Sequence, residues 1–110
     1  MTLKIRVPVL TGLAIAMLFP APVGADQIDG NWCRGLKHFS IDGPSIVTPG
    51  GTKMTGIYDR HGFQYVVPEG EPGAGTTITM AQQHDELVHV SSSAKPDEVQ
   101  NWTPCNRQIS

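Results

Sequence analysis

Apolar and polar residues alternate with a period of two along much of the chain after residue 30, which is typical of β-strands that bury one face. The residues HFSI at 38–41 alternate strictly, and SIVT at 45–48 forms a second short run. The segments DGP at 42–44 and PGG at 49–51 combine glycine and proline, which favour turns. This part of the chain therefore predicts short strands joined by tight turns.

The clearest predicted element is a β-hairpin at residues 53–67. Alternation gives each strand one inward face, with Met54, Gly56 and Tyr58 on the first strand and Phe63, Tyr65 and Val67 on the second. A four-residue loop at 59–62 makes Tyr58 face Phe63 across the hairpin.

Two glycines of this hairpin carry specific expectations. We expect a positive φ at Gly62, where the loop ends, because a residue without a Cβ is least strained there. Gly56 lies opposite Tyr65 in the predicted register, so we expect the Tyr65 ring to cover the space that the missing side chain leaves.

Further strands are predicted at residues 76–83 and 87–91, after a Gly/Pro-rich loop at 68–75. Short sequential connections favour antiparallel pairing between neighbours. The predicted fold class is all-β, a small antiparallel meander of six to eight strands. Such a meander closes, fully or partly, into a barrel because closure removes exposed strand edges.

Residues 1–25 have the three-part layout of a secretory signal peptide. Lys4 and Arg6 precede an apolar stretch at 7–19, and small residues end the segment at Ala25. The alternative is a transmembrane anchor, but the apolar stretch of about 13 residues is shorter than the roughly 20 that a spanning helix needs. We therefore predict an exported protein, periplasmic or secreted, whose residues 26–110 form one domain without stable membrane insertion.

The charge of residues 26–110 limits the classes of partner that we expect, and the two cysteines predict a disulfide. Residues 26–110 carry six basic and ten acidic side chains, so nucleic acids and anionic membranes are poor partners. Both cysteines, Cys33 and Cys105, lie in this part, and an oxidising compartment favours a disulfide between them over two free thiols. In the chain-entropy model such a long bridged loop contributes about 4 kcal/mol to stability.

The two tryptophans lie beside the two cysteines. Trp32 precedes Cys33, and Trp102 shortly precedes Cys105, so a disulfide would bring the two indoles side by side. We expect Trp32 and Trp102 to pack around the bridge and plug one end of the barrel.

The segment Gly30-Asn31-Trp32 at the start of the first strand resembles the Gly-x-Trp signature of the calycin superfamily, the lipocalin-like barrels. A signal peptide, a short β-barrel and one disulfide are also similar to the layout of small periplasmic inhibitors of proteases and lysozymes. The resemblance implies structural roles for Gly30 and Trp32, with the tryptophan closing one end of the barrel.

Four histidines raise the question of a metal site: His38, His61, His84 and His89. His84 and His89 do not match the zinc-protease motif, which needs two histidines four positions apart on a helix. On a strand their spacing points the two rings to opposite faces. The alternative is a set of ligands from separate loops. We predict no metal site and no cofactor, and we interpret these histidines as solvent-exposed side chains.

No catalytic set stands out in the sequence. The charged residues at 59–61 lie at a hairpin tip, where they favour the turn, and the serines at 91–93 lack the strand–turn–helix context of a nucleophile elbow. The neighbouring carboxylates Asp97 and Glu98 come without the number of ligands that calcium needs. We predict that the protein is not an enzyme.

The Gly-rich loop at 68–75 is the candidate binding site. It lacks the Lys-Ser/Thr pair and the following helix of a phosphate-binding loop, whereas rigid β scaffolds often present such loops to partners. The proposed contact residues are Glu69, Gly70, Glu71 and Gly73, and the two glutamates would meet a basic partner. The alternative is an ordinary connection between strands.

Three hypotheses for function remain open. The preferred one is a non-enzymatic binding module with a protein partner in the cell envelope, such as a hydrolase that it inhibits; lysozyme, being strongly basic, suits an acidic inhibitor. The alternative is a small-ligand carrier of the calycin type, with Tyr58, Phe63, Tyr65 and Met80 lining a cavity, although so short a chain favours a filled interior. The third is a structural or stress-related envelope protein. The sequence leaves the oligomeric state open.

Overall fold

The computed structural model describes residues 27–107, in which nine strands and a short 3-10 helix follow one another. Their bounds are β1 Gly30–Arg34, β2 Lys37–Asp42, β3 Ser45–Val47, β4 Lys53–Thr55, β5 Ile57–Asp59, β6 Gly62–Val66, β7 Thr77–His84, β8 Leu87–Ser92, β9 Lys95–Pro104 and the 3-10 helix Cys105–Arg107. Within these residues no helix is long and apolar enough to cross a membrane. The signal peptide predicted at residues 1–25 lies outside the described residues and stays a prediction.

The strands form one antiparallel sheet in the order β4-β3-β2-β1-β9-β8-β7-β6-β5. Sequence neighbours pair throughout, except that β4 and β5 do not pair with each other, and the first strand also pairs with the last. The sheet therefore curls into a nearly closed barrel, which confirms the predicted all-β meander. Nine strands exceed the six to eight expected, because the first strand of the predicted hairpin is divided into β4 and β5.

That strand is interrupted at Gly56, which belongs to neither β4 nor β5. β4 pairs with β3, whereas β5 pairs with β6, so one extended segment passes from one end of the sheet to the other. A Cβ on Gly56 would lie 2.5 Å from the carbonyl oxygen of Gln64 and 2.5 Å from Cε1 of Phe63, so only glycine allows this close approach. The expectation that the Tyr65 ring covers Gly56 is therefore wrong, since the Phe63 ring lies there.

The hairpin register is the predicted one, with Tyr58 opposite Phe63 and their ring centroids 6.5 Å apart. Asp59 also pairs with Gly62, so the turn between the strands has two residues instead of four. Gly62 does not have the expected positive φ, because it is already the first residue of β6.

The barrel interior is filled by alternate residues of the strands, as the alternation predicts. The buried apolar residues of the described part are Ile28, Trp32, Phe39, Ile41, Ile46, Phe63, Tyr65, Val67, Met80, Val88, Val90 and Trp102. Burial of each such side chain contributes about 1.5–3 kcal/mol, so this one interior is the main source of stability.

The barrel closes through a short seam between β1 and β9. Trp32 lies opposite Pro104 and Cys33 lies opposite Thr103. The disulfide between Cys33 and Cys105 reinforces this seam, with 4.8 Å between the two Cα atoms, and confirms the predicted bridge. The first strand is thus covalently tied to the segment that follows the last.

Candidate functional site

One end of the barrel is sealed by the residues that precede β1. Ile28 is fully buried, and its N–H donates to the carbonyl oxygen of Arg60 at 2.9 Å. Its own carbonyl accepts a hydrogen bond from the indole N–H of Trp32 at 2.8 Å. The backbone of Ile28 is therefore held from both sides, and its side chain is buried in the core cluster at this end.

Asp29 extends this seal. Its carboxylate accepts hydrogen bonds from the Gly43 N–H, at 2.8 Å, and from the Tyr58 hydroxyl. The hydrogen bond to Asp29, together with burial, raises the pKa of Tyr58. The β2–β3 turn and strand β5 are thereby joined at the sealed end.

The opposite end opens into a cavity of about 530 Å³, which we call the cup. Phe39, Met80 and Trp102 line its floor and are at most 2% exposed, whereas Tyr65 and Val90 on its wall are 6% and 7% exposed. The ring centroids of Phe39 and Trp102 lie 4.9 Å apart, which gives the floor two adjoining aromatic rings. The cup is therefore open to solvent, with a closely packed apolar floor and with polar side chains such as Lys37, Ser92 and Gln100 also lining it.

Glu71 ties two loops together at the margin of the cup. Its Oε2 atom accepts hydrogen bonds from the Thr48 hydroxyl, at 2.7 Å, and from the Thr52 hydroxyl, at 2.6 Å. Glu71 belongs to the β6–β7 loop and the two threonines belong to the β3–β4 loop, so this contact bridges strands that do not pair. We call the set of Thr48, Thr52 and Glu71 the rim latch.

The surroundings set the protonation states at the margin of the cup. Burial by itself would raise the pKa of Glu71, but hydrogen bonds from Thr48 and Thr52 and from the backbone of Thr52 and Gly50 outweigh burial and lower the pKa. Burial raises the pKa of Tyr65 to about 12, and the negative charge of Glu71 adds to this effect. At neutral pH the cup therefore has an ionised carboxylate, held by donors, beside a neutral phenol.

The predicted loop residues all lie in the β6–β7 connection, and of these Glu71 and Gly73 line the cup. Gly70 and Gly73 have positive φ values of 94° and 85°, a conformation that favours glycine. Glu69 is exposed, whereas Glu71 is partly buried and belongs to the rim latch. The two glutamates, which the sequence groups together, are thus placed in different environments.

Both tryptophans point into the barrel. Trp32 contributes to the sealed end through its hydrogen bond to Ile28. Trp102 contributes to the floor of the cup, and its indole N–H donates to Oε1 of Gln100 at 3.1 Å.

The cup is lined in part by residues that the sequence singles out. Of the four residues predicted to line a cavity, Tyr65 and Met80 line the cup. Tyr58 is bonded at the sealed end instead, and Phe63 is buried without lining the cup. Sequence reasoning missed several other apolar lining residues, namely Phe39, Val67, Val90 and Trp102. Alternation marks these residues as inward-facing, but it carries no signal for the level that each occupies along the barrel axis.

The histidines are dispersed over the described residues. In this part of the chain no group of three or more His, Cys, Asp or Glu side chains is placed to hold a metal ion. Nε2 of His38 shares a hydrogen bond with Oδ1 of Asn31 at 3.0 Å, and Nδ1 of His84 accepts one from the Glu86 N–H at 3.2 Å.

No family model, no curated protein and no solved structure matches this chain. The case for a function therefore rests on the cup, the rim latch and the loop that carries Glu69.

Proposed function

We propose that this protein is an exported, non-enzymatic binding module whose cup holds a small, mostly apolar ligand. The observation that carries the proposal is the asymmetry of the barrel. Ile28 is fully buried towards one end, whereas the other end has an open cavity of about 530 Å³ beside Tyr65 and Val90. Small-molecule sites usually enclose roughly 300–1,000 Å³ and have apolar, aromatic linings with few polar groups.

Export is part of the same proposal. The disulfide between Cys33 and Cys105 supports it, because such bridges persist in oxidising compartments and are rare in the cytosol. A carrier or scavenger of apolar molecules is useful outside the cytosol, where such molecules are poorly soluble and need a protein to shield them from water.

Calorimetric titration of the oxidised protein with naphthalene tests the cup. Saturable uptake of one equivalent is expected. The variant Gln100→Phe introduces a ring from an exposed position on the cup margin and is expected to abolish uptake. The matched control Asn101→Phe adds the same ring to the outer face of β9, since successive strand residues point to opposite faces, and is expected to leave uptake unchanged.

The absence of naphthalene uptake, or uptake that Gln100→Phe and Asn101→Phe alter equally, overturns the proposal. Native mass spectrometry of the protein isolated without denaturation gives a second measurement. A bound small-molecule mass that disappears in Gln100→Phe supports the cup as the binding site.

A second candidate function is recognition of a protein partner by the loop at 68–75, including inhibition of a basic hydrolase. The observation that favours it is the rim latch, which anchors the loop through Glu71 while Glu69 stays exposed. A loop that is ordered before binding loses less conformational entropy on association, and an exposed carboxylate suits a basic partner.

Affinity capture from an envelope and culture extract tests this second candidate. A single enriched hydrolase that is lost with Glu69→Ala and retained with Asp97→Ala, an exposed carboxylate on β9, supports it. Assays in which the protein slows neither lysozyme nor envelope proteases, together with an empty capture, contradict it.

A further inference from the structure

The Tyr65 hydroxyl is an unused hydrogen-bond donor in the cup. Tyr65 is 6% exposed and lines the cavity, yet among residues 27–107 its hydroxyl has no hydrogen-bond partner. Among the described residues Gln82 Oε1 is the buried side-chain polar atom without a partner, so the Tyr65 hydroxyl is open to solvent. A ligand that fills the cup excludes solvent from this hydroxyl, so the hydroxyl is then expected to need a partner on the ligand.

Among the described residues that line the cup and are buried, Tyr65 and Trp102 carry a polar side-chain atom, and the Trp102 indole N–H is bonded to Gln100. Two lining residues that are less buried also have hydrogen bonds within the chain. The Thr76 hydroxyl donates to the Gly73 carbonyl oxygen at 2.7 Å. Oγ of Ser92 accepts a hydrogen bond from the Ala94 N–H at 3.1 Å. Glu71 accepts hydrogen bonds within the rim latch, and Lys37, Ser92 and Gln100 are less buried than Tyr65. Tyr65 is thus the buried lining residue best placed to bond a ligand.

We propose that Tyr65 determines the specificity of the cup, selecting an uncharged aromatic ligand that carries a carbonyl group over the parent hydrocarbon and over the corresponding carboxylate. This inference rests on the proposed ligand-binding function. The aromatic part of the ligand packs against the apolar lining beside Tyr65, Val67 and Val90, and its carbonyl oxygen accepts a hydrogen bond from the Tyr65 hydroxyl.

The negative charge of Glu71 disfavours a ligand that carries a carboxylate. Burial and the nearby Glu71 charge keep the Tyr65 hydroxyl protonated as a donor. The same Glu71 charge repels an anionic ligand, and a carboxylate loses much more hydration than a ketone on entering an apolar cavity. Lys37 also lines the cup, but it is exposed, so solvent and salt screen its attraction for an anion.

A matched set of three probes tests the inference: naphthalene, acetylnaphthalene and naphthoate. Calorimetry on the wild-type protein at neutral pH is expected to give the tightest binding with acetylnaphthalene and the weakest with naphthoate. In Tyr65→Phe the affinity for acetylnaphthalene falls about fivefold, the value of one neutral hydrogen bond, while the affinity for naphthalene is unchanged. The control Tyr58→Phe removes a phenol hydroxyl at the sealed end and leaves both affinities unchanged.

Failure of this inference differs from failure of the proposed function. If none of the three probes binds, the proposed function fails, and the specificity of Tyr65 fails with it. If naphthalene binds but Tyr65→Phe weakens naphthalene and acetylnaphthalene equally, or weakens neither, the cup stands and the role of Tyr65 is overturned. Tightest binding of naphthoate also overturns it.

Discussion

The side chain of Glu71 occupies the space in which a Cβ on Gly50 would lie, with the Glu71 Cδ atom 2.3 Å from that position. Gly50 lies in the β3–β4 loop, between the two threonines of the rim latch. Its backbone does not have a positive φ, so glycine is needed there for space and not for conformation. In its present position the latch carboxylate takes the space that a side chain at residue 50 would need.

We therefore expect Gly50→Ala to displace Glu71 from Thr48 and Thr52. The buried Thr48 hydroxyl then loses its charged partner, and the free energy of unfolding falls by about 1.5–3 kcal/mol. Urea denaturation measures this change. In a Glu71→Ala background the same substitution is expected to cost almost nothing, and an equal cost in both backgrounds would show that Gly50 acts independently of the latch.

The rim latch also predicts a dependence of stability on pH. The pKa of Glu71 is lower in the folded protein than its ordinary value of 4.5. The ionised latch therefore contributes stability that is fully present above that ordinary value and is lost as the pH falls through the lowered pKa. Glu71→Gln is expected to reduce the free energy of unfolding by about 1 kcal/mol at neutral pH, and the deficit should shrink in acid.

Denaturation curves collected from neutral to acidic pH test this expectation. Glu69→Gln is the matched control, because Glu69 lies on the same loop but is exposed, and its curve should follow the wild-type protein. A deficit of Glu71→Gln that stays constant down to strongly acidic pH contradicts the linkage to ionisation.

The interruption between β4 and β5 gives a third prediction. Gly56→Ala places a Cβ against the carbonyl oxygen of Gln64, a backbone atom that cannot move without disturbing β6. We expect a loss of about 2–3 kcal/mol in the free energy of unfolding. Gly62→Ala is the control in the same hairpin, since its Cβ would meet its nearest neighbours at an ordinary 3.4 Å, and it should change stability by less than about 0.5 kcal/mol. Equal losses of stability in the two variants would contradict the claim that the close approach at residue 56 requires glycine.

Alkaline titration gives a fourth prediction. The protein has two tyrosines, Tyr58 and Tyr65, and the pKa of each is raised above 10.0 in the folded state. Tyr65, with a pKa of about 12, contributes stability that is present below pH 10.0 and is lost as the pH rises towards 12. The phenolate absorbance of the native protein should therefore appear at a higher pH than that of the urea-unfolded protein. If the native and unfolded proteins titrate at the same pH, burial does not raise the pKa of Tyr65.

Several features follow from local sequence alone. Side-chain direction repeats every two residues in a strand, so alternation gives the inward faces and the pairing of Tyr58 with Phe63. Two cysteines near the ends of a chain with a predicted signal peptide give the bridge between Cys33 and Cys105. A meander of short strands with few alternatives for pairing gives the barrel.

Other features lie beyond local sequence. Alternation identifies Gly56 as an inward position, but the interruption of the strand there depends on how closely Phe63 and Gln64 approach it. A glutamate beside glycine and proline is typical of an exposed loop, yet Glu71 is engaged with Thr48, which lies 23 residues away.

The sequence by itself determined the strand pattern, the inward faces and the disulfide, because each depends on residue type and on spacing within a few residues or on the redox compartment. Only the tertiary structure decided that Ile28 seals one end, that Glu71 latches the other, and that Phe39, Tyr65 and Trp102 line a common cup. The physical reason is that alternation fixes which face a side chain occupies. The position of that side chain along the barrel axis depends on the relative stagger of all the strands.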